Sequence, residues 1–321
     1  MTLRSQVKAI IFVMAGLSAL HVQAQEVPQY TSVPKFYDFL PNVVSDWIPA
    51  VKNLDPRDHG RAYAEVLGLT AILIYYDQDI INASQSRARK LYLISPTDSG
   101  AESRVFFTTK IAGISADLRV PKGTNATMYY IGDGLTSLAI LSGLTVAGNI
   151  TDDKRMLNTA SEFAESLVLT GSFILPSKYI AGRESPFRAS EDGGVWRPAA
   201  GVKAYLSNVS KHDAFPSGHI ATVMSGVTIL AQNYPDQPWI QPVGYTAMGL
   251  LMWAMLNNGE HWAGDYPVGI AIGYNAARTV FERRRPANYN VDGQPTVRKK
   301  NYTIMPFANS DGVGLMFERR S

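Results

Sequence analysis

The chain has no cysteine among its 321 residues. Disulfides are therefore excluded, and stability must come from core packing. Charge is also sparse: charged residues make up 18% of the sequence, and the formal net charge of +3 is too small a surplus to argue for a nucleic-acid partner. Uninterrupted apolar runs of bilayer length are missing as well. Segments such as Met248 to Leu256 are apolar, but polar or charged residues break most runs before the roughly 20 residues a span requires. Mean hydropathy is slightly negative, at -0.06. A soluble bundle is expected, and Gln241 to Leu256, near Trp239 and containing Trp253, is the segment closest to a span.

What is present is an ordinary globular composition, 46% hydrophobic, sufficient for one large domain or a domain with an appended part. The first residues differ from the rest. Arg4 and Lys8 precede an apolar run from Ala9 to Leu20, and His21-Val22-Gln23-Ala24 follows with small residues placed for cleavage. Residues 1–24 thus read as a secretory signal peptide and the mature chain as exported to the periplasm. Two basic clusters, Arg283-Arg284-Arg285 and Arg298-Lys299-Lys300, are expected to be a solvated helix end and its linker, because nothing amphipathic accompanies them.

Periodicity places helices over Arg61 to Tyr76, Met128 to Ala147, Asp153 to Leu175, Gly218 to Gln232, Gln241 to Leu256 and Glu260 to Arg283. The third begins on a capping aspartate and is expected to stop at Pro176. Residues 25–60, rich in proline and aromatics, read as an extended arm. Leu91 to Ile94 and Arg104 to Thr109 favour strand, and Tyr302 to Phe307 with Gly312 to Phe317 suggests a second short hairpin. The expected fold is all-α, a helical bundle with small irregular or β-hairpin insertions. Its organisation is a signal peptide at 1–24, an arm, helix and irregular insert at 25–126, a core at 127–285, and a tail at 286–321.

Chemistry concentrates in two short segments that hold two of the five histidines: Phe215-Pro216-Ser217-Gly218-His219 and His261-Trp262-Ala263-Gly264-Asp265. Ser217 is a good N-cap before a helical pattern, so Gly218 and His219 fall in a first turn whose free N–H groups attract an anion. His261 and Asp265 are four apart. On one helix face, the carboxylate would hold one imidazole nitrogen and leave the other free as a nucleophile. His59, in Arg57-Asp58-His59-Gly60, has no second ligand at metal spacing, and His212 is expected to be an exposed loop residue.

These residues resemble the type 2 phosphatidic acid phosphatase family, which includes bacterial nonspecific acid phosphatases and, more distantly, vanadium-dependent haloperoxidases. The family pattern is Lys-x6-Arg-Pro, then Pro-Ser-Gly-His, then Ser-Arg-x5-His-x3-Asp. Here the second part is complete at Pro216 to His219, the third keeps His261 and Asp265, and the first keeps Lys178 and Pro186. The resemblance implies phosphoryl transfer without metal or other cofactor: His261 attacks phosphorus, Asp265 orients it, and His219 protonates the leaving oxygen. It also implies that Lys178, the Ser217 hydroxyl and the Gly218 N–H surround the phosphate oxygens. The implied partners are a phosphorylated small molecule or a lipid head group, with peripheral membrane contact and no nucleic acid.

Both family arginines are absent, replaced by Ser185 and Met255. Losing one preorganised donor to developing charge costs roughly 2.7–4 kcal/mol, so two losses approach about 5–8 kcal/mol, or four to six powers of ten in rate. Arg183, two positions before Ser185, is the candidate replacement from the same loop; Arg188, Asn257 and Asn258 are weaker ones. Restoring both arginines should then raise activity. A catalytically weakened binder of phosphorylated ligands is the rival reading. A vanadate peroxidase fits least, because vanadate needs more positive donors still.

Overall fold

Three long helices around the site start where a short polar side chain satisfies free N–H groups. The computed structural model describes residues 30, 32–34, 37–53, 56–94, 103–111, 114–284, 301–309 and 312–320. The expected signal peptide lies outside them. The helices are α1 (Phe39–Lys52), α2 (Pro56–Lys90), α3 (Thr124–Tyr129), α4 (Gly134–Thr151), α5 (Lys154–Ala181), α6 (Val202–Ser207), α7 (Gly218–Asn233), α8 (Ile240–Asn258) and α9 (Tyr266–Arg283). Asp133 caps α4 by accepting from the Leu135 N–H at 2.8 Å, and Asp153 caps α5 by accepting from Arg155 and Met156. Ser217 caps α7 more loosely, with Ile220 N at 3.5 Å from its Oγ.

The all-α reading holds, with two antiparallel hairpins attached: β1 (Ser103–Ile111) with β2 (Ile114–Pro121), and β3 (Asn301–Asn309) with β4 (Gly312–Arg320). Leu91 to Ile94 is a turn after α2 and joins neither hairpin. Three other expectations change. The arm contains α1, which tolerates Pro41 because a first-turn proline has no helical hydrogen bond to lose. Pro176 lies inside α5, which runs on to Gly182, a left-handed cap at φ 61° whose N–H returns to Lys178 O. No side chain fits at Gly182, since a Cβ there would run into the Arg197 carbonyl. The third departure is at His261, which precedes a short 3₁₀ turn (Ala263–Asp265) instead of lying on α9.

Two apolar clusters hold the bundle together. One joins Ile81, Ile220, Met224, Leu251, Met255, Trp262, Tyr266 and Ile270 from α2, α7, α8 and α9; the other joins Val43, Phe163, Leu169, Ile229, Val280 and Phe281 from α1, α5, α7 and α9. Small residues bring α9 close to α7. A Cβ on Gly269 would come within 2.5 Å of the Ser217 carbonyl, and one on Gly273 would run into that of Ala221. Large side chains there would push the His261 segment away from Pro216–His219.

Several helices carry polar residues inward and apolar ones outward. α1 buries Asp46 while exposing Leu40, Val44, Ile48 and Val51. The basic pair at the end of α9 also faces inward, contrary to expectation: Arg283 pairs with Asp46 and Glu165, and Arg284 with Glu165. Both carboxylates are fully buried and need cations, so these arginines tie α9 to α1 and α5.

Candidate active site

The Pro-Ser-Gly-His and His-x3-Asp segments come together through a backbone bond. Ser217 N donates to Asp265 O at 2.9 Å, which ties the start of α7 to the turn before α9. Across that junction the His219 and His261 rings meet edge to face, with centroids 6.0 Å apart. Asp265 does not reach His261 along a helix face. Its Oδ2 accepts the Trp262 N–H at 2.8 Å, which folds the turn back so that His261 Nδ1 lies 3.3 Å from the same oxygen. With Nδ1 facing the carboxylate, Nε2 is the nitrogen left for chemistry.

The anion side of the site is thinner. Lys178, in the last turn of α5, sits against the start of α7: a Cβ on Gly218 would lie 4.0 Å from its Nζ. That ammonium is already engaged, donating to Asp213 O at 2.6 Å and pairing with Asp213 Oδ2 at 3.5 Å. His219 packs against Tyr129 at 5.0 Å between centroids. Burial, reinforced by His261 and Lys178, pushes its pKa down to about 3. Burial raises the carboxyl of Glu260, with His261 pulling against it and Asp213 adding to it.

Arg183 is not a phosphate clamp. Its guanidinium is fully buried behind Asp265, donating from NH1 to Asp265 Oδ1 at 2.8 Å and from NH2 to Asp77 Oδ2 and Gly193 O, each at 2.7 Å. Trp196 and Trp262 cover it at 4.8 and 5.2 Å. Two carboxylates in a dry pocket need this cation more than a transient substrate does, so the loop donates it inward. Met255 lies in the apolar cluster with no exposed surface, so an arginine there would bury a charge among hydrocarbon and destabilise the chain instead of restoring a clamp. Ser185 is buried, with its N–H on Ser210 O.

The weaker candidates separate cleanly. Arg188 is exposed. Asn257 is taken up by Ser84 and Asn125, and Asn258 accepts from Asn125. His212 is buried beside Tyr205 instead of exposed, since the loop folds back onto it. Sequence reasoning missed Asp77 and Tyr129. Asp77 left a trace as one of two aspartates inside the otherwise largely apolar segment Ile72–Ile81, but nothing marked its partner 106 positions away. Among the described residues no group of three or more histidine, aspartate or glutamate side chains is placed to hold a metal ion.

The all-α bundle thus sets two imidazoles and a buried carboxylate beside the capped start of α7. Residues 159–289 match the family model described as the PAP2 superfamily, a match that supports membership of that superfamily, whose members are generally phosphatases. Comparisons with curated proteins and with solved structures give no match.

Proposed function

We propose that the chain is an exported, metal-independent phosphatase acting on phosphate monoesters or on lipid phosphates or diphosphates. The observation that carries this reading is His261, oriented by Asp265 and facing His219 across the start of α7. In the first step the His261 Nε2 lone pair forms an N–P bond, the bond from phosphorus to the leaving oxygen breaks, and that oxygen takes a proton from His219. Water then attacks phosphorus, gives its proton to His219, and the N–P electrons return to His261. Lys178, the Ser217 hydroxyl and the Gly218 N–H hold the non-bridging oxygens, with Lys178 exchanging Asp213 for phosphate.

A lipid substrate is favoured by α4, the one helix among the described residues long and apolar enough to cross a membrane. It turns Leu135, Leu138, Ile140, Val146 and Ile150 outward and buries only Ser137 and Gly148. We place this face against the hydrocarbon of a bilayer surface, at the outer side of the inner membrane. The rival reading, a pocket that binds a phosphorylated ligand without turning it over, is favoured by Met255 and by the Lys178–Asp213 pair. The deciding experiment measures phosphate release from an aryl phosphate and a short-chain lipid phosphate by the mature chain and by His261→Ala. The phosphatase reading expects a loss of at least a thousandfold in the variant; equal residual rates sink it in favour of binding.

A further inference from the structure

From the ring of bonds joining α2, the Arg183 loop and the turn before α9, we infer that Asp77 is a positioning residue of the phosphoryl site. It fixes Arg183 and the Gly264 N–H so that Asp265 holds His261. Asp77 lies outside the residues that match the family model, so the site is completed by a helix that the matched segment does not contain. The inference rests on the phosphatase reading for its catalytic consequence, and on geometry alone for the positioning.

The ring is closed at every link. Asp77 Oδ1 accepts from Gly264 N at 2.8 Å, and its Oδ2 accepts from Arg183 NH2 at 2.7 Å. Arg183 NH1 reaches Asp265 Oδ1 at 2.8 Å, and Asp265 Oδ2 takes the Trp262 N–H and faces His261. Each of the three charged side chains has no exposed surface. Gly264 permits the approach, since a Cβ there would come within 2.6 Å of Ile74 Cγ1 and 2.9 Å of Asp77 Oδ2. One carboxylate would suffice to neutralise Arg183, yet two are present. The second gives the guanidinium a fixed direction. Without it Arg183 is free to turn wholly onto Asp265 and draw that carboxylate from His261.

Asp77 is held here at a cost. Burial pushes its carboxyl up to about 6, opposed by Arg183 and assisted by the charge of Asp265; Tyr266 is the other titratable group that faces it.

The test is Asp77→Asn in the mature chain. The variant keeps an acceptor for Gly264 N, and Arg183 NH2 keeps Gly193 O. Expected are a fall in kcat of about tenfold to a hundredfold, a KM for aryl phosphate within about twofold of wild type because Lys178, Ser217 and Gly218 are untouched, and a melting temperature at pH 7 no lower than wild type. The ¹⁵N signals of the His261 ring, which report its bond to Asp265, should move. Unchanged kcat and unchanged ring signals overturn the inference; so does a joint loss of kcat and melting temperature with the ring signals in place. Should Asp77→Asn not fold, Asp77→Glu, which displaces the carboxylate by one methylene, must give the same split between kcat and KM. If the wild type releases no phosphate, the phosphatase reading fails by itself and the ring signals still decide the positioning role.

Discussion

His219 enters the proposed reaction as a neutral imidazole, without the second proton that a general acid gives up. Burial, His261 and Lys178 hold it at about 3, so between pH 5 and 8 the free imidazole is neutral and cannot protonate a leaving oxygen unaided. The proton must arrive with the substrate. A phosphate monoester has its second pKa near about 6, so its monoanion brings one acidic hydrogen that passes to His219 and then to the leaving oxygen. The expected outcome is a kcat/KM for aryl phosphate that falls about tenfold per pH unit above about 6, tracking the monoanion. A profile flat to pH 8 would show that His219 draws its proton from elsewhere. The placement of the motif residues was legible because local chemistry defines it, a capping serine and a glycine in a first turn; the His261–Asp265 pair was legible too, although a short turn and not a helix face brings the two together. Arg183 was legible as important but misassigned. Loop placement shows that a guanidinium is near, whereas its direction depends on Asp77, and a single sequence does not reveal a pairing between distant segments.

At the scale of the element, α4 shows why the helix was readable and its orientation was not. Asp133 marks its start and the apolar run its length. Which face turns inward depends on neighbours, and here Ser137 and Gly148 face the bundle while leucines, isoleucines and valine face out. Gly148 meets Leu157 of α5 so closely that a Cβ would come within 2.9 Å, which fixes that face against the bundle. Three polar side chains on the outward side donate back to the helix: Thr145 to Leu141 O, Asn149 to Thr145 O and Thr151 to Ala147 O, at 2.8, 2.7 and 2.8 Å. Eighteen residues extend about 27 Å. That length and the return of these three donors to the helix's own carbonyls suit hydrocarbon. The wild-type chain should therefore co-sediment with phosphatidylcholine vesicles, and Leu138→Glu with Val146→Glu should release it while leaving turnover of a soluble aryl phosphate unchanged. Failure of the wild type to sediment would remove the membrane contact, and with it the argument for a lipid substrate over a soluble one.

Over the whole molecule, polar clusters substitute for part of an apolar core, and they set how stability follows pH. Asp46 of α1, Glu165 of α5 and Arg283 and Arg284 at the end of α9 join three helices at one ionic knot. Burial, together with a hydrogen bond to Glu165 and its charge, pushes Asp46 up to about 7 despite Arg283. A carboxyl raised in the folded state binds its proton more tightly there than in the unfolded chain. Between the ordinary carboxylate range near about 4 and pH 7 the folded state therefore holds a proton that the unfolded state has lost, and stability decreases as pH rises through that window. Asp77 adds a slope of the same sign up to about 6, while His219, whose pKa is lowered, adds the opposite sign below its ordinary value of 6.5. The contribution of Asp46 is isolated by Asp46→Asn. At pH 4, where the native aspartate is itself protonated, the variant and wild type should melt together; at pH 8 the variant should melt a few degrees higher, because it no longer carries a disfavoured charge. A variant that melts lower at pH 8 would mean that Arg283 needs Asp46 ionised, making the knot a net attraction between charges instead of a proton shared between two carboxylates.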